Sequence, residues 1–368
     1  VRLLLSGYYG FGNLGDEALL SVIVSQLRTR HPYAEIDVLS AKPEVTAHEL
    51  RVEATARWDS KAVRAAIERA DVVLSGGGGL LQNATSLRSL IYYTGIIRAA
   101  VRARRTTMIF AQSIGPLDFW GRTVVRETCK GIAGATVRDD RSRELLSSLL
   151  PGVRVERTAD PAFLFETPEE SDDFAADGLG PQSDPLAIVS VRKANGLKDR
   201  IDVLARAVDR LSEEHGLRVA FLPLGGASDA EVSTTIIRKC RTPAVLLPEA
   251  SLGRAANIIG RAKVLVGMRL HALILAARQG VPFLAVPYDP KVTAFCGDLA
   301  YPLPPLFSLE SPEAKPAPEA IDLAVDELWN RRESLRDYLI AAREPLERLA
   351  LRNFEVLDEL IAQGPSRE

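Results

Sequence analysis

Short β-branched runs alternate with longer helical patterns along this chain, and the alternation occurs twice. In the first series the strand candidates are residues 2–6, 35–40, 71–75, 107–112, 135–138 and 153–158. Helical stretches at 17–30, 61–70, 87–104 and 141–149 lie between them. In the second series, strands at 186–191, 218–224, 244–247, 264–267 and 283–286 are separated by helices at 199–215, 229–239, 252–261 and 270–279. Such alternation predicts βαβ units and a mostly parallel sheet. Residues 166–185, ETPEESDDFAADGLGPQSDP, are acidic and studded with Gly and Pro, as a linker would be. The expectation is an α/β chain of two Rossmann-like domains facing each other across a cleft. Residues 1–165 form the first domain, 166–185 the linker, and 186–300 the second domain. A Pro-rich segment and C-terminal helices fill 301–368. Ligands of parallel sheets sit beyond the carboxyl ends of the strands, so the residues just after each strand are the candidates for function.

Composition narrows the classes. The 368 residues are 46% hydrophobic, enough for two cores rather than a disordered chain. A net charge of -2 argues against nucleic-acid binding, which favours a strongly basic face. The three cysteines, Cys129, Cys240 and Cys296, are widely spaced, with no C-x-x-C pair, so neither a disulfide framework nor a structural zinc site is indicated. They read as packing residues, and no metal or cofactor is expected. No apolar run is long enough to span a membrane, and no signal peptide precedes the first strand, so a cytoplasmic location is expected.

Four segments carry candidate chemistry. GYYGFGNLGDEAL, residues 7–19, follows the first strand. Its glycines satisfy G-x-G-x-x-G, but Asp16 and Glu17 at the helix start would repel a pyrophosphate. These acids serve either as favourable helix-start charges or as a base beside a hydroxyl-rich ligand, with Gly12 and Asn13 at hand. SGGGGLLQNATS, residues 75–86, follows the third strand. Consecutive glycines cost conformational entropy, so Gly76, Gly77 and Gly78 read as close backbone approach to a ligand. Gln82 and Asn83 add amide groups of the kind sugars use. The third segment combines AQSIGPL, residues 111–117, containing Gln112, with VRDDRS, residues 137–142. There Arg138 either aims its fork at an anion or is neutralised by Asp139, Asp140 and Arg141 in a surface network.

The fourth segment is the most specific. In VLVGMRLHALILAARQGVPFLAVPYDPKV, residues 264–292, Arg269, Leu270 and His271 open an apolar helix directly after a strand. A helix N-terminus presents free N–H groups to an anion, and Arg269 and His271 add donors there. Lys291, one of nine lysines, follows the next strand. Separately, Arg98, Arg102, Arg104 and Arg105 end a helix, where they complement its dipole or meet anionic lipid phosphates.

Taken in order, G-N-L-G-D-E (12–17), S-G-G-G-G-L-L-Q (75–82), A-Q-S-I-G-P (111–116), V-R-D (137–139) and G-M-R-L-H-A (267–272) make the chain resemble the polysaccharide pyruvyl transferases. Within them it resembles the bacterial type that acts on a secondary cell-wall polymer. The resemblance implies a two-domain fold like that of the GT-B glycosyltransferases. It also implies transfer of the enolpyruvyl carbons of phosphoenolpyruvate, a co-substrate, onto two hydroxyls of one sugar, giving a cyclic pyruvate ketal and phosphate. On the resemblance, Arg138, Arg269, His271 and Lys291 take the phosphoenolpyruvate-binding and catalytic positions. The first domain takes the acceptor and the second the donor. The acceptor implied is N-acetylmannosamine on a lipid-linked precursor, which would bring the protein to the inner membrane face. The pyruvylated polymer would then anchor surface-layer proteins.

The charges suit that donor, which carries a carboxylate and a phosphate. His271 is the expected acid, or else a ligand of the leaving phosphate, and Asp16 or Glu17 the base. Two rivals share these features. A GT-B glycosyltransferase using a nucleotide-diphospho-sugar would need a ribose-binding acid, for which Asp289 and Glu249 are the candidates. A non-catalytic sugar- or phosphate-binding protein would have no need of the Arg–His pair.

Overall fold

Buried parallel strands need an unbroken apolar run, because both of their faces are covered. The computed structural model, which describes residues 1–84, 86–168, 179, 184–194, 197–307 and 316–364, builds two sheets from such runs. The chain divides into two compact units, Val1–Phe165 with Pro345–Glu368, and Glu166–Glu344.

The first unit holds a seven-stranded sheet of β1 (Arg2–Tyr9), β2 (Glu35–Ser40), β3 (Glu53–Ala56), β4 (Val72–Gly78), β5 (Thr106–Gln112), β6 (Gly134–Val137) and β7 (Val155–Arg157). All neighbours pair in parallel, in the order β3-β2-β1-β4-β5-β6-β7. Alternate residues of β1 serve opposite faces. Leu3 and Leu5 join the core under helix Leu14–Arg30, and Leu4 joins the one under helices Ser60–Arg69 and Leu87–Arg102. The second unit holds β8 (Leu186–Ser190), β9 (Arg218–Phe221), β10 (Ala244–Leu246), β11 (Val264–Gly267) and β12 (Phe283–Ala285), parallel in the order β10-β9-β8-β11-β12.

Both orders reverse direction once, between β1 and β4 and between β8 and β11. Consecutive crossovers leave opposite faces at these two points, which opens a crevice beyond the strand ends.

The expected strands all form, within a few residues at their ends. Sequence reading misses β3, a short edge strand with one β-branched residue, and the helices Pro43–Leu50, Phe119–Thr128 and Pro290–Asp298. Two of those helices start on a proline, which reads as a turn but is well suited to the first helical position. The expected linker falls mostly outside the described residues. The final region, expected as one appendage after residue 300, is shared between the units. Helix Pro318–Asn330 is held to helix Leu197–Glu213 by Arg206–Asp322 and Arg210–Asp326 pairs at 2.6 and 2.7 Å. Helix Arg332–Gln363 contains Pro345, and beyond it Phe354, Leu357 and Leu360 enter the first unit's core. Asn353, fully buried, ties this segment down by donating to the carbonyls of Ala159 and Ala350 and accepting from Thr158.

The C-terminal segment is therefore part of the first unit's core. Phe354→Ala should cost about 3–5 kcal/mol, the usual penalty for an emptied aromatic site. Denaturant unfolding, followed by a probe placed in the first unit, measures it.

Candidate functional site

At the first unit's reversal point two glycine-rich turns meet. Glu17 Oε1 accepts the backbone N–H groups of Gly10 (2.9 Å) and Gly12 (3.3 Å), so its carboxylate folds the loop that precedes its own helix. Burial pushes the Glu17 carboxyl above its ordinary value, against the pull of those two N–H groups. Asn13 donates its side-chain amide to Asp16. The Asp16 carboxylate lies over Gly78, where an added Cβ would come within 2.9 Å of it and where φ is +79°. A side chain at residue 78 would be strained and would displace the acid, which explains the glycine better than flexibility does. Gly76 accepts the buried Tyr9 hydroxyl at 2.7 Å, and Gly77 lies against Tyr9 and Leu19.

Further along the same sheet edge, Gln112 and Arg138 end β5 and follow β6. Gln112 Nε2 donates to the carbonyl and hydroxyl of Ser75, at 2.6 and 3.0 Å. Arg138 Nε donates to the Ala111 carbonyl at 2.6 Å, and Nη1 pairs with Asp160 at 2.5 Å. Arg138 is thus neutralised by Asp160, a buried group that sequence reading missed, and not by its neighbours. Asp139 caps helix Asp140–Leu149 through Ser142, and Asp140 pairs with Arg143. Burial pushes the Asp160 carboxyl up, while Arg138 and the Ala162 N–H pull it down. Among the described residues, buried Asp160 Oδ2 has only its ion pair with Arg138, and the buried atoms Arg138 Nη2 and Gln112 Oε1 have no hydrogen-bond partner. Each such atom costs about 1–3 kcal/mol, a penalty that a ligand with matching polar groups would remove.

Of the two expected amide ligands after the glycine run, Asn83 has a structural job. Its Oδ1 accepts the Asp118 N–H at 3.1 Å, which holds the start of helix Phe119–Thr128. Also missed was an aromatic cluster beside the glycine loop. Buried Arg57 donates to the Gly7 carbonyl and the Tyr93 hydroxyl, and its guanidinium lies 4.5–5.4 Å from the ring centroids of Phe11, Trp58, Tyr92 and Tyr93. Tyr8 stacks on Phe11 at 4.1 Å, and Tyr8, Phe11 and Trp58 are exposed. The signal lay in Tyr8 and Phe11, which interrupt a glycine loop with large rings.

In the second unit, Arg269 follows β11 and its fork is already engaged. Nη2 donates to Asp229 Oδ1 at 2.7 Å and Nε to Oδ2, and Asp229 is fully buried. Gly225 makes the room, since a Cβ there would fall 1.7 Å from Arg269 Nη2. Leu270 is buried, and His271 is half-buried in the first turn of helix Leu270–Arg278. Lys291 Nζ lies 5.6 Å from the Tyr288 ring centroid and 3.9 Å from Asp289. Arg192, after β8, was missed; its guanidinium sits 4.5 Å from the same ring and donates to the Tyr288 hydroxyl at 2.7 Å. Asp289 caps its own helix through the Lys291 N–H. The reversal point of this sheet thus carries Arg192, Arg269 and His271, with Lys291 one strand further on. Among the described residues, no group of three or more His, Cys, Asp or Glu side chains could hold a metal ion. Burial pushes the Cys129 and Cys296 thiols up to about 12, away from the reactive thiolate range.

The whole fold has solved counterparts. It is similar to the UDP-GlcNAc 2-epimerase of Neisseria meningitidis bound to UDP-GlcNAc, with TM-score 0.66, 10% identity and coverage of 98% of this chain and 100% of that one. It is similar to S. aureus MnaA with UDP, with TM-score 0.68, 12% identity and coverage of 100% and 99%. Acinetobacter baumannii MurG matches with TM-score 0.56 and 15% identity over 98% and 99%. These likenesses define a GT-B-like α/β fold. None of the curated proteins matches the chain. The model of one family, polysaccharide pyruvyl transferase, matches residues 13–290, and the chain belongs to that family.

The state of Glu17 is testable through stability. A carboxyl raised in the folded state contributes stability fully present below its ordinary value, 4.5, and lost as pH rises through the raised value. Glu17→Gln keeps an acceptor oxygen without the charge. It should therefore unfold at a higher urea concentration than the parent at pH 7, with the gap closing towards pH 4.5. A less stable variant at pH 7 would show that the ionised form is needed.

Proposed function

We propose that this protein transfers the enolpyruvyl carbons of phosphoenolpyruvate onto two hydroxyls of one sugar in a lipid-linked cell-wall precursor. A proton adds to the methylene carbon, and C2 becomes electrophilic. One hydroxyl oxygen bonds to C2, the C2–O bond to phosphate breaks, and the second hydroxyl closes the ring. The two hydroxyl protons balance the new methyl hydrogen and the phosphate. The products are a cyclic ketal that keeps the pyruvate carboxylate, and inorganic phosphate.

The observation that carries this reading is the set of cations around one helix N-terminus at the second sheet's reversal point. A donor with two anionic groups suits Arg192, Lys291 and the positive end of helix Leu270–Arg278. Arg269, fixed by Asp229, contributes a rigid donor more than net charge. His271 is the proton donor in this scheme. On the acceptor side, Asp16 is the better base, because the Glu17 carboxylate is occupied by the loop N–H groups. Arg138 Nη2 and Gln112 Oε1 offer a donor and an acceptor for the substrate. The exposed Trp58 ring suits the C–H face of a sugar ring. Proteins of the secondary cell-wall type would use N-acetylmannosamine as the acceptor sugar, and that is the substrate to try first.

Phosphate release should require both phosphoenolpyruvate and a saccharide, and nucleotide sugars should not substitute. Turnover with a nucleotide sugar alone would favour a glycosyltransferase, and ligand binding without any turnover would favour a binding protein. His271→Gln should lower the rate by about 10²–10⁴-fold with donor affinity little changed. Parent-like turnover would reduce His271 to a phosphate ligand and make Lys291 the next candidate for the acid. Trp58→Ala should raise the acceptor KM while leaving kcat and donor affinity near the parent values. An unchanged acceptor KM removes the aromatic cluster from the site.

A further inference from the structure

Two neighbouring helices of the first unit expose what a folded surface usually hides. Phe119 and Trp120, adjacent at the start of helix Phe119–Thr128, are 75% and 67% exposed, with ring centroids 5.6 Å apart. Leu87 and Ile91, in the first turns of helix Leu87–Arg102, are 43% and 52% exposed. The helices start side by side. Asn83 Oδ1 accepts the Asp118 N–H, and its own N–H reaches the Pro116 carbonyl at 3.2 Å. A Cβ on Gly121 would lie 2.9 Å from the Asn83 side chain. Asp118, the acid closest to the two rings in sequence, is engaged as the helix cap at 2.7 Å from the Gly121 N–H.

Charge then selects the partner. Arg88, Ile91, Gly95, Arg98 and Arg102 recur at alternating three- and four-residue spacing and are all exposed, so they form one face of the longer helix. From Leu87 to Arg105 the chain has five arginines and no acid, although acids outnumber bases over the whole sequence. Aromatic rings and aliphatic side chains beside an arginine stripe are what the headgroup region of an anionic bilayer receives. A symmetric contact between two copies would bring two such stripes together, like charge against like.

We infer that this face is a membrane-docking surface, with Phe119, Trp120, Leu87 and Ile91 entering the headgroup layer and Arg88, Arg98 and Arg102 meeting lipid phosphates. It stands on surface chemistry alone and does not need the reaction proposed above, although a lipid-carried acceptor would be reached from such a position.

The test is co-sedimentation of the full chain with phosphatidylcholine vesicles and with vesicles containing equal parts of phosphatidylglycerol. Binding should require the anionic lipid and fall with added salt. Arg98→Gln/Arg102→Gln should lower the partition coefficient by about 25-fold, roughly fivefold per arginine. Phe119→Ser/Trp120→Ser should lower it by at least tenfold and remove quenching of tryptophan emission by brominated lipid. Both variants alter exposed residues, so their melting curves should overlay the parent's. Parent binding that is absent, lipid-independent or unchanged in both variants overturns the inference. So does a parent dimer that the serine variant converts to monomer, which would make the face a self-association surface. Turnover of a water-soluble saccharide should persist in both variants, and its loss would assign these residues to the reaction site instead. If no saccharide is turned over by the parent, the reaction proposal fails while the vesicle result keeps its meaning.

Discussion

A parallel strand covered on both faces can carry almost no polar side chain along its length, because an unpaired buried polar group is too costly. β4, β5, β8, β11 and β12 are buried throughout, and buried polar side chains within the sheets find partners, as Thr136 does with the Ala111 N–H and Asp37 with Thr55. Chemistry is thereby confined to the strand ends, where the chain turns into a helix and backbone N–H groups become available. The reversal of strand order in each sheet then picks out one place along that edge. Glycine turns gather at one reversal point and cations at the other, so the topology does the positioning before any particular residue is considered.

Buried charge follows a common pattern at both edges. Arg138 is held by Asp160 and a backbone carbonyl, and Arg269 by Asp229. Desolvating an arginine alone would be expensive, and a buried acid offsets most of that cost. The pair leaves the guanidinium nearly neutral as a charge yet fixed in direction. Arg138 Nη2, without a partner among the described residues, is such a directed donor.

The alternation of apolar runs made the strands and most helices legible, because burial on both faces demands a continuous pattern. β3 escaped because a short edge strand needs little apolar sequence, and the helices starting at Pro43 and Pro290 because their prolines read as turns. The helix starting at Phe119 was also missed. Arg138, Arg269, His271 and Lys291 were visible because each follows a strand. Their partners were not. Asp160 and Asp229 lie on other elements, and Asp229 stands 40 residues from Arg269, so only the fold brings them together. Arg192 lies just after β8 and the same rule pointed to it, whereas the Arg57 aromatic cluster follows β3, a strand that was not expected. Their character comes from ring faces meeting a guanidinium, and no spacing in the chain encodes that contact.

On the proposed reaction, this division of charge has a kinetic meaning. A site that held phosphoenolpyruvate with several uncompensated arginines would hold phosphate equally well, and uniform binding of donor and product does not speed turnover. With Arg269 compensated by Asp229 and Lys291 partly by Asp289, net attraction rests mainly on Arg192 and a helix N-terminus, and the Arg192 and Lys291 side chains both lie against the Tyr288 ring. A ring face attracts cations modestly while keeping them in place. The arrangement favours orientation over affinity, which suits a donor whose reacting carbon must face a sugar hydroxyl and whose phosphate must then leave.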